Sequence, residues 1–139
     1  MPHDFKRFPE LSNSQVDFYY FESPHKQIFE DFRAVVVKVH DGDSIRVMTD
    51  FRDFDFPIRI MNIKAPELDQ EGGMESQRFL EQRLLGQEVE IKINPNIRIG
   101  AWGRLLGKVE IGSMDIGEES IMMGQSQPWI QEERHQLWA

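Results

Sequence analysis

Three short segments of this 139-residue chain carry charged side chains where a strand-built domain would otherwise place neutral ones. The first is Asp41-Gly42-Asp43-Ser44. An Asp-Gly pair between apolar runs is an ordinary hairpin signal and needs no function. Read for chemistry, Gly42 permits a tight turn and Asp43 presents hard carboxylate oxygens of the kind magnesium or calcium takes as ligands. The second segment runs from Arg59 to Glu67. Arg59 lies inside an apolar strand, where an unpaired guanidinium is costly, so it must meet a carboxylate of a neighbouring strand or a bound phosphate. Pro66 holds Ala65 extended and ends that strand, so Glu67 projects from the loop beyond it. The third is Ala101-Trp102-Gly103-Arg104, an arginine at the start of a later strand behind a large aromatic; Trp102 as core and Gly103 as a plain turn is the alternative. Two arginines and two carboxylates at strand ends suit in-line phosphoryl chemistry, which needs cations for the phosphate oxygens and a carboxylate to position water.

The elements that would position these groups follow from hydrophobic period. Valine-rich Ala34 to His40 and alternating Ser44 to Thr49 flank the Asp-Gly turn as a hairpin, and Phe56 to Ile63 reads as a third strand. Met74 to Leu85 has Phe79, Leu80 and Leu84 at helical spacing, with Gly86 as its stop. Val89 to Ile93 and Leu105 to Ile111 alternate as a fourth and fifth strand. Asp115 followed by Glu118 resembles a capping box for a short helix ending at Gly124, and Pro128 opens an expected last helix through about Trp138. This order, mainly β with α, predicts a small closed barrel with about three packed helices over residues 34–139. Residues 1–33 read as an arm that docks on the barrel or takes a partner protein, with a short helix from Ser23-Pro24 to about Phe32 and the aromatic run Phe18 to Phe21, a docking patch on the barrel in preference to a base-stacking platform.

Composition narrows the classes. With no cysteine, disulfides, thiolate metal sites and cysteine nucleophiles are excluded. A formal net charge of -8 argues against a protein that coats nucleic acid through a basic surface, but not against a site that aims a few cations at one phosphate. No apolar leader or membrane span is readable, so an intracellular protein without membrane contacts is expected, with secretion by another route as the alternative; the chain is expected to be a monomer. His3, His25, His40 and His135 are scattered, and Asp50, Asp53 and Asp55 alternate with phenylalanine as a solvated hairpin edge would.

Strand plus Asp-Gly-Asp-Ser, then Arg-x5-Ala-Pro-Glu, then Trp-Gly-Arg, resembles the staphylococcal nuclease family in order and spacing from about Ala34 to Trp129. The resemblance implies a five-stranded OB-fold barrel and metal-dependent hydrolysis of DNA or RNA, with calcium the typical ion and magnesium or manganese as alternatives. It further implies that Arg59 and Arg104 bind phosphate, with Arg104 stabilising charge on the transition-state phosphate and the leaving oxygen, that Glu67 acts as general base or orients water, that Asp43 and the Ala65 backbone carbonyl hold the ion, that Asp41 acts on it through water, and that Trp102 contacts the nucleotide.

The departure is Lys64, which stands where that family carries a second metal-ligating aspartate. An ammonium in place of a carboxylate changes local charge by two and repels a cation. Lys64 then points to solvent beside a weakened ion, pairs with Asp43 in place of the ion and adds to phosphate binding, or marks an inactive OB module that binds single-stranded nucleic acid or protein.

Overall fold

The computed structural model describes residues 10–13, 26–100 and 103–130. Along the chain lie β1 (Phe32–Asp41), β2 (Ser44–Met48), β3 (Phe56–Ile60), β4 (Ile63–Lys64), α1 (Gly73–Leu84), β5 (Glu88–Lys92), β6 (Leu105–Ile111), β7 (Met114–Asp115), α2 (Ile116–Met122) and β8 (Gln127–Pro128). The five long strands close a barrel. Antiparallel pairs join β3 to β2, β2 to β1, β1 to β5 and β5 to β6, and a parallel β3–β6 pair with Ile58 opposite Leu105 completes the ring. That order is the OB arrangement expected.

Alternation decides which side chains fill it. Val36, Ile45, Val47, Phe56, Ile58, Ile60, Ile91, Leu105 and Val109 are wholly buried, and Leu80 and Leu84 of α1 join the same core. Burial of each such side chain is worth about 1.5–3 kcal/mol. Val39 stays inward because β1 bulges between Val36 and Lys38, which resets the register against β2. Gly107 allows the closure: a Cβ there would lie 2.6 Å from the Ile91 side chain.

Asp115 caps α2 as its sequence predicts, its Oδ1 accepting from the N–H groups of Gly117 and Glu118. Three expectations are corrected. The third strand stops at Ile60, because Asn62 turns the chain at φ 69° before β4 resumes. Residues 26–31 are not helical. Their polar groups serve tertiary bonds instead: Lys26 O and Ile28 O accept from Arg52 and Arg98, and the Asp31 carboxylate takes the Ile93 N–H. Pro128 opens no helix, since it pairs with Ile63 in a β4–β8 ribbon and Trp129 N–H bonds Asn62 O at 2.9 Å. The remainder of that expected helix, residues 131–139, and the aromatic run at 18–21 lie outside the described residues.

The described parts of the arm are built into the body. Glu10 pairs with Arg52 at 2.5 Å, both nearly inaccessible, and the Arg52 guanidinium lies 4.4 Å from the Phe56 ring centroid. Arg98, wholly buried, donates to the carbonyls of Ile28 and Leu11 and covers the Phe29 ring. Among the described residues no helix is long and apolar enough to cross a membrane.

Candidate phosphate-binding site

Strand register brings the distant charged segments together. Ser44 opens β2 opposite Arg59, Arg59 is opposite Leu106 on the parallel strand, and Arg104 directly precedes β6. Ile60 N–H also bonds Asp43 O at 2.8 Å, which fixes the β1–β2 turn against the end of β3. Asp41 and Asp43 of one turn, Arg59 and Arg104, from three separate segments of the sequence, therefore share one end of the barrel.

Asp43 is the centre of the cluster. Its Oδ2 accepts the Ala65 N–H at 3.0 Å and lies 3.3 Å from Arg59 Nη2, while its Oδ1 accepts the Ser44 hydroxyl at 3.2 Å. Ser44 Oγ in turn accepts from Arg104 Nη1 at 2.7 Å. Arg59 is more committed to structure than its sequence position suggests: Nη1 donates to Ile60 O and Nη2 to Ile63 O, pinning the turn between β3 and β4. Burial pulls its pKa below the ordinary guanidinium value, and the positive Arg104 adds to that effect, against the opposing pull of Asp43 and Asp41. Asp41 binds the Asp43 N–H at 3.1 Å, and burial together with the neighbouring Asp43 carboxylate pushes its own carboxyl above the usual range.

Gly42 is required for space rather than torsion. It is not among the positive-φ glycines, but a Cβ there would sit 2.6 Å from both the Ala65 and the Ser76 Cβ. The turn carrying Asp41 and Asp43 thus packs directly on the β4 exit and on α1. Gly73 plays the corresponding part for Glu67, whose carbonyl oxygen would lie 1.8 Å from a Gly73 Cβ. Glu67 itself is exposed on the loop after β4, its N–H bonded to the Gln70 side chain at 2.9 Å, and its carboxylate is joined to none of the four clustered groups.

Lys64 does not pair with Asp43; Arg59 takes that place. The ammonium lies 4.5 Å from the Trp129 ring centroid, a contact made by the β4–β8 ribbon that no spacing rule in the sequence announces. Trp102 lies outside the described residues. Two open clefts beside the arm and the β2–β3 loop, lined by residues such as Phe32, Asp50 and Phe51, include none of these groups.

The donor set does not fit a tightly held divalent ion. Hard cations take six or more oxygen ligands and favour uncompensated carboxylates. Here both Asp43 oxygens already receive protein donors, a guanidinium neutralises them, Lys64 adds a cation one residue from Ala65, and no group of three acidic or histidine side chains suited to a metal occurs among the described residues.

The architecture is that of an OB-fold barrel carrying a compensated charge cluster at the ends of β1, β3 and β6. No protein-family model matches the chain. It is similar to two proteins named as uncharacterized endonucleases, one from Escherichia coli O157:H7 and one from Escherichia coli, each 31% identical over 104 residues. The match covers 74% of this chain and 63% of each relative, so the chain spans less than two thirds of their length.

Proposed function

We propose that this chain is a nuclease of the staphylococcal nuclease type, hydrolysing phosphodiester bonds of DNA or RNA. The observation that carries the reading is the Arg104–Ser44–Asp43–Arg59 chain of contacts, which holds two guanidinium groups and a carboxylate at one end of an OB barrel. The similarity to proteins named as endonucleases agrees with it.

In this reading the half-buried Arg104 meets the phosphate oxygens, its guanidinium held in place by the Ser44 hydroxyl. Arg59 contributes positive field and fixes the Asp43 turn. A water held by the Glu67 carboxylate attacks phosphorus in line with the departing oxygen. The new P–O bond forms as the ester P–O bond breaks; the water proton passes to Glu67 and the leaving alkoxide is protonated from solvent. Charge growing on the phosphoryl oxygens is what Arg104 offsets, a role whose loss costs about 10²–10³ in rate.

The test is incubation of the purified protein with single-stranded and duplex DNA and RNA, in calcium, magnesium, manganese or chelator, with products resolved on gels. Cleavage that Arg104→Ala reduces by about 10²–10³ supports the reading. Failure to cleave any substrate in any of these conditions overturns it, and retained binding in that case would make the chain a non-catalytic OB module.

A further inference from the structure

We propose that this site grips a nucleic-acid phosphate without a divalent ion, through the Lys64 ammonium held on Trp129 together with the Arg104 guanidinium. The proposal deepens the nuclease reading and rests on it for the identity of the ligand. It starts from Asp43, the carboxylate an ion would need. Ala65 N–H, Ser44 Oγ and Arg59 Nη2 surround both of its oxygens at 3.0–3.3 Å. An entering cation would have to displace these donors and face the Arg59 charge. The electrostatic work of an ion at Asp43 is thus already done by a guanidinium that the fold holds through two backbone carbonyls.

Lys64 supplies the second part. It directly precedes Ala65, whose N–H binds Asp43, and its side chain is exposed while Ile63 and Ala65 on either side are buried. Among the described residues its ammonium makes no ion pair; its contact is the Trp129 ring. A lysine stem is ordinarily free to sample many rotamers, and a cation–π contact restricts it without consuming the N–H groups that turn away from the ring. Trp129 is itself tied down, because the β4–β8 pairing and the Trp129 N–H to Asn62 O bond fix its backbone next to β4. The result is a positioned cation on the residue that directly precedes Ala65, whose N–H binds Asp43. A phosphodiester there would be recognised by charge and hydrogen bonding from protein groups alone.

The experiment is fluorescence anisotropy with a labelled short single-stranded DNA, titrated with full-length protein in EDTA and in calcium over a series of salt concentrations. Oligonucleotide integrity is checked on gels. Affinity should agree within about twofold between EDTA and calcium, since no phosphate contact depends on an ion. Lys64→Ala should weaken binding by about fivefold to tenfold and lower the salt slope by roughly 0.7, the signature of one lost phosphate contact on a single strand. Lys64→Arg should keep the slope, and Trp129→Ala should weaken binding less than Lys64→Ala does. Because Lys64 is exposed, its variants should melt as the parent does; Lys64→Gln serves as a second neutral variant should the alanine change lower stability. Binding that appears only with calcium, or neutral Lys64 variants with unchanged affinity and slope, overturns the proposal. Calcium-requiring binding accompanied by cleavage would do so while leaving the nuclease reading intact, whereas absence of both binding and cleavage in every condition overturns both.

Discussion

The Oδ2 atom of Asp43 lies 3.3 Å from the Arg59 guanidinium, with both side chains little more than a tenth exposed. Neither charge is tolerable there alone. Removing one partner of a buried pair strands the other and costs about 3–5 kcal/mol when burial is complete. Slight exposure and the two carbonyls that Arg59 also binds soften this, so Asp43→Asn should lower stability by about 2–3 kcal/mol. Urea unfolding at neutral pH measures it, and a midpoint equal to the parent's would show that the pair contributes nothing.

A second buried pair, Glu10 with Arg52, joins the arm to the barrel. Arg52 also stacks near Phe56, so a lost carboxylate leaves an uncompensated cation against core aromatics. Glu10→Ala should cost about 3–5 kcal/mol in urea unfolding. Deleting residues 1–25 should cost more, because Leu11 O, which accepts from buried Arg98, goes too. A truncated chain with the parent's melting temperature would mean that the arm is dispensable.

Between the helices, Arg83 Nε and Nη2 meet the two Glu119 oxygens at 2.7 and 2.8 Å. The hydrogen bonds from Arg83 hold the Glu119 carboxyl below the usual carboxylate range. A carboxyl whose pKa falls on folding adds stability above its unfolded value, and that increment disappears as pH drops through the folded value. With both side chains partly exposed the increment is under about 1 kcal/mol. Glu119→Gln should therefore unfold at lower urea than the parent at pH 7, with the gap closing toward pH 3. A gap that persists at acid pH would point to lost packing rather than lost charge.

The barrel was legible because it rests on alternation, a local signal: Leu105–Ile111 and the Asp115 cap stand where the residues predicted them, and α1 begins one residue early. The convergence of Asp43, Arg59 and Arg104 was legible only through the resemblance to the staphylococcal nuclease family, since nothing in one strand announces its register with another. Lys64 on Trp129 and Arg52 on Glu10 have no local sequence signal for the same reason: each joins residues through tertiary contact alone. The helix expected from Ser23-Pro24 to Phe32 failed over residues 26–31 because two buried arginines claim carbonyls that helical bonding would have used. Gly42 lies in the turn its sequence predicts, but its neighbours rather than its torsions demand a glycine there.

That distinction gives a prediction. Ala at position 42 is free of torsional strain, so its whole cost is the push against Ala65 and Ser76. Overpacking of this kind costs about 1–3 kcal/mol. Ala65→Gly in the Gly42→Ala background opens one of the two contacts at 2.6 Å and should return part of both stability and activity. A double variant no better than the sum of the single changes in a thermodynamic cycle would show that the two sites do not touch.

Gly73 offers the corresponding control over Glu67. It is the first residue of α1, and an added Cβ would fall 1.8 Å from the Glu67 carbonyl oxygen and 2.6 Å from its carbonyl carbon. Those are backbone atoms, which cannot rotate aside as a side-chain end can, so the Glu67 loop must move as a unit. Arg59 and Arg104 are held by β3 and by the Ser44 hydroxyl and need not follow. On the proposed role of Glu67 in holding the attacking water, Gly73→Ala should lower kcat by at least about tenfold while oligonucleotide affinity stays within about twofold of the parent. Steady-state cleavage rates beside anisotropy titrations separate the two effects. Equal losses in rate and affinity would mean that the loop serves binding, and an unchanged rate would remove Glu67 from the chemistry.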